Sequence, residues 1–231
     1  MAEGAPVVLS VGGSVLLTGE NDAEFLRALA DLLRRLGREF PLVVTTGGGR
    51  TAREYIALAR SLGLTEVELD ELGIDVTRLH ARLLGGLVGG ASAAPPPTTV
   101  AAAVRELGHV SPVILGGTEP GHTTDGVAAL IAARVRAVRL VNATRVDGLY
   151  DRDPRRHPDA RRIDRMGWDE FRRVVRESVG EGSAGQEFLF DALGAEALGR
   201  AAIPLLVVHG RRLANLEAAL RGAIFDGSRI G

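Results

Sequence analysis

The sequence contains no cysteine and no lysine. The first absence excludes disulfides, a thiolate nucleophile and any thiolate metal site. The second excludes a Walker A phosphate loop, Schiff-base chemistry and a lysine general base. All 28 basic residues are therefore arginine. Arginine and lysine are near-equivalent on an exposed surface, so a GC-biased genome explains the exchange better than function does. Aromatic residues are scarce (4%), net charge is −1 and no basic block occurs, which argues against a nucleic-acid-binding face with stacking platforms. The five histidines, His80, His109, His122, His157 and His209, show no ligand spacing, so no resident metal site is expected. No apolar run reaches membrane-spanning length, and no basic segment precedes an apolar one at the N-terminus. These absences predict a cytoplasmic protein that binds neither nucleic acid nor membrane.

What the chain does have is alternation. Its 231 residues suffice for one large core. The β-rich run Pro6–Val11 meets Gly12-Gly13-Ser14, then a helix is expected over Asp22–Leu36, with Gly37 in the C′ position. Pro41–Thr46 is a second strand, closed by Gly47-Gly48-Gly49 and a helix from about Thr51 to Leu62. Leu69–Val88 reads as a long helix broken by the Gly/Ala/Pro stretch Gly85–Pro97. Further helices are expected at Thr98–Leu107, Asp125–Ala133, Trp168–Val179, Phe190–Ala202 and Leu213–Leu220. Strands are expected at Pro112–Leu115, Arg139–Ala143 and Pro204–Val208, with an edge strand at Gly227–Ile230. Val146–Tyr150 reads as a hairpin or tight turn ahead of the Pro- and Arg-rich loop Asp153–Arg162. Short apolar strands separated by helices predict an α/β fold, a three-layer αβα sandwich around a mainly parallel sheet.

Three glycine loops directly follow apolar strands: Gly12-Gly13-Ser14, Gly47-Gly48-Gly49 and Gly116-Gly117-Thr118. In a parallel sheet they gather at the carboxyl edge, where α/β proteins bind ligands. Backbone N–H groups without a neighbouring Cβ can approach phosphate oxygens, and each following helix adds its positive end. One such loop is weak evidence. Three together point to a polyanion, although none matches Gly-x-x-x-x-Gly-Lys or Gly-x-Gly-x-x-Gly.

Five ordered blocks resemble archaeal-type UMP kinases of the amino-acid-kinase superfamily. They are Gly12–Leu16, Gly47–Tyr55, Asp70–Arg78, Gly116–Asp125 (GGTEPGHTTD, the most specific) and Asn142–Pro154. The match is weakest at Gly85–Pro97 and Glu181–Glu187. The resemblance implies the carbamate-kinase-like fold in a single domain, 1–231, with an acceptor half (about 1–137) and an ATP half (about 138–231). It implies transfer of the ATP γ-phosphoryl group to UMP, in pyrimidine nucleotide synthesis, with Mg²⁺ and within a homo-oligomer, a hexamer in the relatives. By the same resemblance, Gly12, Gly13 and Ser14 lie along the transferred phosphate. Gly48, Asp70, Thr118, Pro120, Gly121, His122, Thr123 and Thr124 hold UMP. Thr144, Tyr150 and Asp153 hold ATP, Gly49, Arg50 and Arg53 reach the phosphates, and Asp125 organises the reaction centre.

Plainer readings stand beside these roles. Asp125 is placed to N-cap a helix, Asp147-Gly148 is a common turn pair, and Tyr150 can be a core aromatic. Arg50 and Arg53 open a helix, where the macrodipole disfavours cations unless an anion offsets them. Rival functions are a superfamily kinase with another small acceptor, a molybdenum-storage-like oxoanion protein, and a regulatory nucleotide-binding subunit.

Overall fold

The computed structural model describes residues 4–154, 156–180 and 190–231. Glu181–Glu187 and Arg155 thus lie outside the described residues. Seven strands form the main sheet: β1 (Val7–Val11), β2 (Leu42–Thr46), β3 (Val113–Leu115), β4 (Arg139–Thr144), β7 (Arg165–Met166), β8 (Leu205–His209) and β9 (Ser228–Ile230). Their order is β3-β2-β1-β4-β8-β9-β7, parallel except for the β8–β9 pair. Two further strands, β5 (Leu149–Tyr150) and β6 (Arg162–Ile163), pair antiparallel in a small second sheet.

Successive residues of each central strand enter different cores, because strand side chains alternate between faces. Val7, Leu9 and Val11 pack with helix α2 (Asp22–Glu39), part of α4 (Glu66–Val88) and α9 (Leu213–Arg221). Val8, Val43 and Leu140 pack instead with α6 (Thr124–Val135), α7 (Trp168–Gly180) and α8 (Ala192–Ala201). Burial on both faces accounts for the near-continuous apolar strands and gives three layers. The remaining helices are α1 (Gly13–Leu16), α3 (Gly49–Ser61) and α5 (Val100–Glu106).

Three expectations are corrected. Gly37 is no C-cap: α2 continues to Glu39, and a Cβ at Gly37 would sit 2.6 Å from Pro112 Cδ. The long helix ends at Val88 as expected, before Gly89 at φ +77°. Val146–Tyr150 is not a hairpin by itself; Tyr150 pairs with Arg162 across the Pro/Arg-rich loop. The final strand is not at the edge, because β7 pairs outside it.

Candidate active site

The first two glycine loops interlock. A Cβ at Gly13 would lie 2.2 Å from Gly49 N and 2.4 Å from Gly47 O, and one at Gly49 (φ +60°) would lie 2.5 Å from Gly13 C. No side chain fits there, so these glycines are required by backbone packing before any ligand is considered. The third loop presses on α4 in the same way: a Cβ at Gly116 would lie 2.5 Å from Thr77 Oγ1.

Helix α4 then ties the loops in place. Asp70 Oδ2 accepts from Gly121 N (2.8 Å), and Thr77 Oγ1 accepts from Gly117 N (2.7 Å). Arg78 donates to the carbonyls of Gly117 (3.1 Å) and Thr118 (3.0 Å), and His80 Nδ1 lies 2.8 Å from Gly47 O. Thr77, Arg78 and His80 carried no role in the sequence reading. The signal available was a set of polar residues on the otherwise apolar face of a long helix.

These elements enclose a cavity of about 420 Å³. Of the expected residues, Gly48, Gly49, Arg53, Asp70, Pro120, Gly121, His122, Thr123 and Thr124 line it, together with Ile56, Ile74 and Glu119 among others. Gly49 and Arg53 therefore stand with Asp70 in one cavity. The N-terminus of α3 opens into it with no side-chain cap and no acidic residue in its first turn, an arrangement that favours an anion. Thr118 does not line the cavity, and its Oγ1 is buried without a partner. His122 Nδ1 lies 3.2 Å from a Glu119 oxygen but makes no hydrogen bond.

A second cavity, about 340 Å³, is lined by Ser14, Val15, Thr18, Glu20, Thr144, Arg145, His209 and Arg211. Gly12 and Gly13 line neither cavity; Gly13 packs on the Gly47–Gly49 loop of the first, while Ser14 lines the second. Arg211 is committed to the wall, donating to Val15 O, Glu20 O and Asp22 and covering the Phe25 ring at 4.5 Å. Arg145 has no hydrogen bond or ion pair to the described residues, which leaves its charge available to a ligand. It too carried no role in the sequence reading, where it stood only within the Asn142–Pro154 block. Tyr150 and Asp153 line neither cavity. The Tyr150 hydroxyl donates to Asp147 (2.7 Å), and Asp153 is buried. Arg50 is exposed and faces Glu54 at 3.4 Å.

Asp125 lies below the cavity. It does not cap α6; Thr123 does, accepting from Gly126 N (3.0 Å), and Thr123 also donates to Asp191. The Asp125 carboxylate instead accepts from Ser10 Oγ (2.5 Å) on β1 and Asn142 Nδ2 (3.4 Å) on β4. Ser10 and Asn142 are register partners on adjacent strands, facing α6. Burial, with a smaller push from Asp191, raises the Asp125 pKa above the ordinary carboxylate value, against the Ser10 and Asn142 hydrogen bonds.

Comparison with known proteins identifies the family. Residues 5–209 match the model of the amino acid kinase family. The uridylate kinase of Methanothermobacter thermautotrophicus is 40% identical over 218 residues, covering 94% of this chain and 96% of that protein. That of Thermoplasma volcanium is 41% identical over 222 residues, 94% of this chain and 93% of the relative. The crystal structure of uridylate kinase from Archaeoglobus fulgidus superposes with a TM-score of 0.85 at 36% identity, covering 97% of this chain and 99% of that one.

Proposed function

Because the chain belongs to the amino acid kinase family, we propose that it is an ATP-dependent UMP kinase: it transfers the γ-phosphoryl group of ATP to the phosphate of UMP. One observation carries this reading. The first cavity ends on an uncapped helix N-terminus beside Arg53, and the Gly12–Ser14 turn, packed through Gly13 on the Gly47–Gly49 loop of that cavity, carries Ser14 into the second. Two phosphorylated molecules held there would face each other across that turn.

Gly48, Gly49 and Arg53 hold the acceptor phosphate, while Asp70, His122 and the Thr123–Thr124 segment surround its nucleoside. Ser14, Thr144 and Arg145 hold the donor phosphates. Tyr150 and Asp153 belong to the donor half through the β5–β6 segment. The acceptor oxygen is already ionised, so no general base is needed. That oxygen bonds to the γ-phosphorus as the bridging bond to the β-phosphate breaks, and ADP leaves with the electron pair. The contribution of the protein is alignment and charge: guanidinium groups and the free N–H groups of α3 neutralise the moving phosphoryl. Asp125 acts as a positioning residue, joining α6, which carries the acceptor loop, to the ends of β1 and β4.

Mg²⁺ is expected with the nucleotide. Among the described residues no group of three His, Cys, Asp or Glu side chains is placed to hold a metal. When bound, it offsets phosphate charge. The acceptor half (about 1–137) and ATP half (about 138–231) act as one domain in the cytoplasm; no helix among the described residues is long and apolar enough to cross a membrane. Helix α3 exposes Tyr55 and Leu58, with Leu62 exposed just past its end, and α4 exposes Val67, Leu79 and Leu83. These apolar faces support a homo-oligomer, a hexamer by the resemblance.

The relatives are uridylate kinases, and no observation favours an oxoanion-storage role. A coupled assay with ATP, Mg²⁺ and a panel of acceptors tests the reading. UMP should be phosphorylated much faster than AMP, GMP or acetylglutamate; equal rates across the panel overturn it.

A further inference from the structure

A third cavity, about 420 Å³, shares no lining residue with the other two. It lies between the β6–β7 segment and the connection from α9 to β9, and its charge is unbalanced. Arg165 and Arg229 are register partners on the parallel strands β7 and β9. Partners in register share a face of the sheet, opposite the buried Met166 and Ile230, and like charges so placed repel. Neither guanidinium meets an Asp or Glu side chain among the described residues. Arg229 Nε donates to Gly231 O (3.1 Å), and Arg165 has no hydrogen bond or ion pair.

Two further guanidiniums stand close. Arg139 reaches under Gly222, where a Cβ would lie 2.4 Å from its Nη2; burial, then the nearby Arg229 charge, hold its pKa below the ordinary value. Arg162 lines the cleft but is satisfied, meeting Asp226 (2.6 Å), Asp164 (3.0 Å) and Asp147 (3.3 Å). Asp164 is the one carboxylate among the lining residues, and it faces Arg162. Three guanidiniums therefore line a space, with Arg139 behind its Gly222 wall, and the nearby carboxylates of Asp164 and Asp226 are both taken up by Arg162. Phe225 and the 99% exposed Ile224 form an apolar wall beside them.

We propose that this cleft is a second anion site, separate from the reaction centre, that binds a small phosphorylated molecule carrying at least two negative charges, with Arg165 and Arg229 as its main contacts. Two adjacent guanidiniums with no Asp or Glu side chain between them offer several N–H donors to one phosphate group, and a phosphate relieves their repulsion. The apolar wall suits the organic part of such a molecule. Occupancy reaches the donor half through Arg162, whose partner Asp147 holds the Tyr150 hydroxyl and whose partner Asp226 also holds Arg212 (3.1 Å).

Inorganic pyrophosphate is the probe. It is titrated calorimetrically into the enzyme saturated with UMP and a non-transferable ATP analogue, so that both active-site cavities are filled. One site per chain is expected, and Arg165→Glu with Arg229→Glu should weaken it by at least about tenfold, the scale for losing charge-assisted contacts. Without pyrophosphate, the doubly substituted enzyme should keep wild-type kcat and KM. Arg165→Gln, which keeps size without charge, should show an intermediate loss and stands in if the reversal fails to fold. Absence of binding to the wild type, or equal binding by wild type and folded variants, overturns the proposal. Because the readout is the difference in binding between wild type and variants, it is independent of which acceptor the enzyme phosphorylates.

Discussion

The acceptor and donor sides of this molecule are held by different forces. Around the acceptor cavity, backbone packs on backbone: Gly13 against Gly47–Gly49, Gly116 against α4, with Asp70, Thr77, Arg78 and His80 fastening main-chain groups. Beside the donor cavity, a chain of polar side chains does the fastening, from Tyr150 through Asp147, Arg162 and Asp226 to Arg212. The strands there are two residues long. Buried bonds to main chain are little affected by salt, whereas partly exposed ion pairs are screened and contribute about 0–1 kcal/mol each. The comparison teaches that sterics preform the first cavity, while ion pairs hold the segment beside the second.

The sharpest way to break that contrast is Gly13→Ala. The added methyl has no space, so both folding and activity should fail, beyond the usual cost of about 1–3 kcal/mol for overpacking, since main chain and not side chain must move. At Gly12 the nearest atom to a Cβ is Ala143 O at 3.4 Å, and Gly12→Ala should melt close to wild type. Equal thermal melts for the two variants would show that the loops do not interlock as described.

Asp125→Asn comes next. Thr123 keeps the cap of α6, so the melting temperature should hold while kcat falls by at least about 10²-fold, a typical scale for losing an electrostatic organiser. A fall in stability with normal kcat would make Asp125 a structural residue only.

Two arginines then separate the sides. Arg53→Ala should cost about 1.5–3 kcal/mol in kcat/KM, the range for a hydrogen bond to a charged group, with its KM effect on UMP. Arg145→Ala should raise KM for ATP by about tenfold, since one exposed contact to phosphate is lost. Arg50→Ala should change little, because Arg50 is exposed and faces Glu54. Steady-state kinetics with each substrate varied decides; an unchanged KM for UMP in Arg53→Ala removes Arg53 from the acceptor site.

The smallest effect concerns Asp22, behind the donor wall. Burial pushes its carboxyl up, but N–H groups of Thr18 and Gly19, the Thr18 hydroxyl and Arg211 together pull it from 3.8 down to about 2. The folded pKa is thus below the unfolded one, so its stabilisation is present above about pH 4 and is lost as pH falls through about 2. Asp22→Asn should lower stability at pH 7 by about 1 kcal/mol after allowing for screening. Denaturant melts at stepped pH should show that gap closing towards pH 2.

Much of this was legible in one dimension. Alternating apolar runs and glycine loops specified a parallel α/β sheet and the edge where ligands bind, because periodicity records which face of each element is buried. The motif blocks placed Gly48, Asp70 and the Pro120–Thr124 segment, which do line one cavity. Absent lysine left arginine as the long-chain cation for phosphate. Periodicity says nothing, however, about which element crosses which. Only the tertiary structure decided that Ser10 and Asn142 meet Asp125, that Thr123 caps α6 in its place, that Gly13 is small because another glycine loop lies against it, and that Gly37 is small because Pro112 does. It likewise singled out Arg145, with its charge free, from an arginine-rich chain, and set Arg165 beside Arg229. The reason is physical: local propensity and burial are properties of a segment, whereas close approach and charge balance are properties of pairs, such as Ser10 and Asp125, that only the folded chain brings within reach.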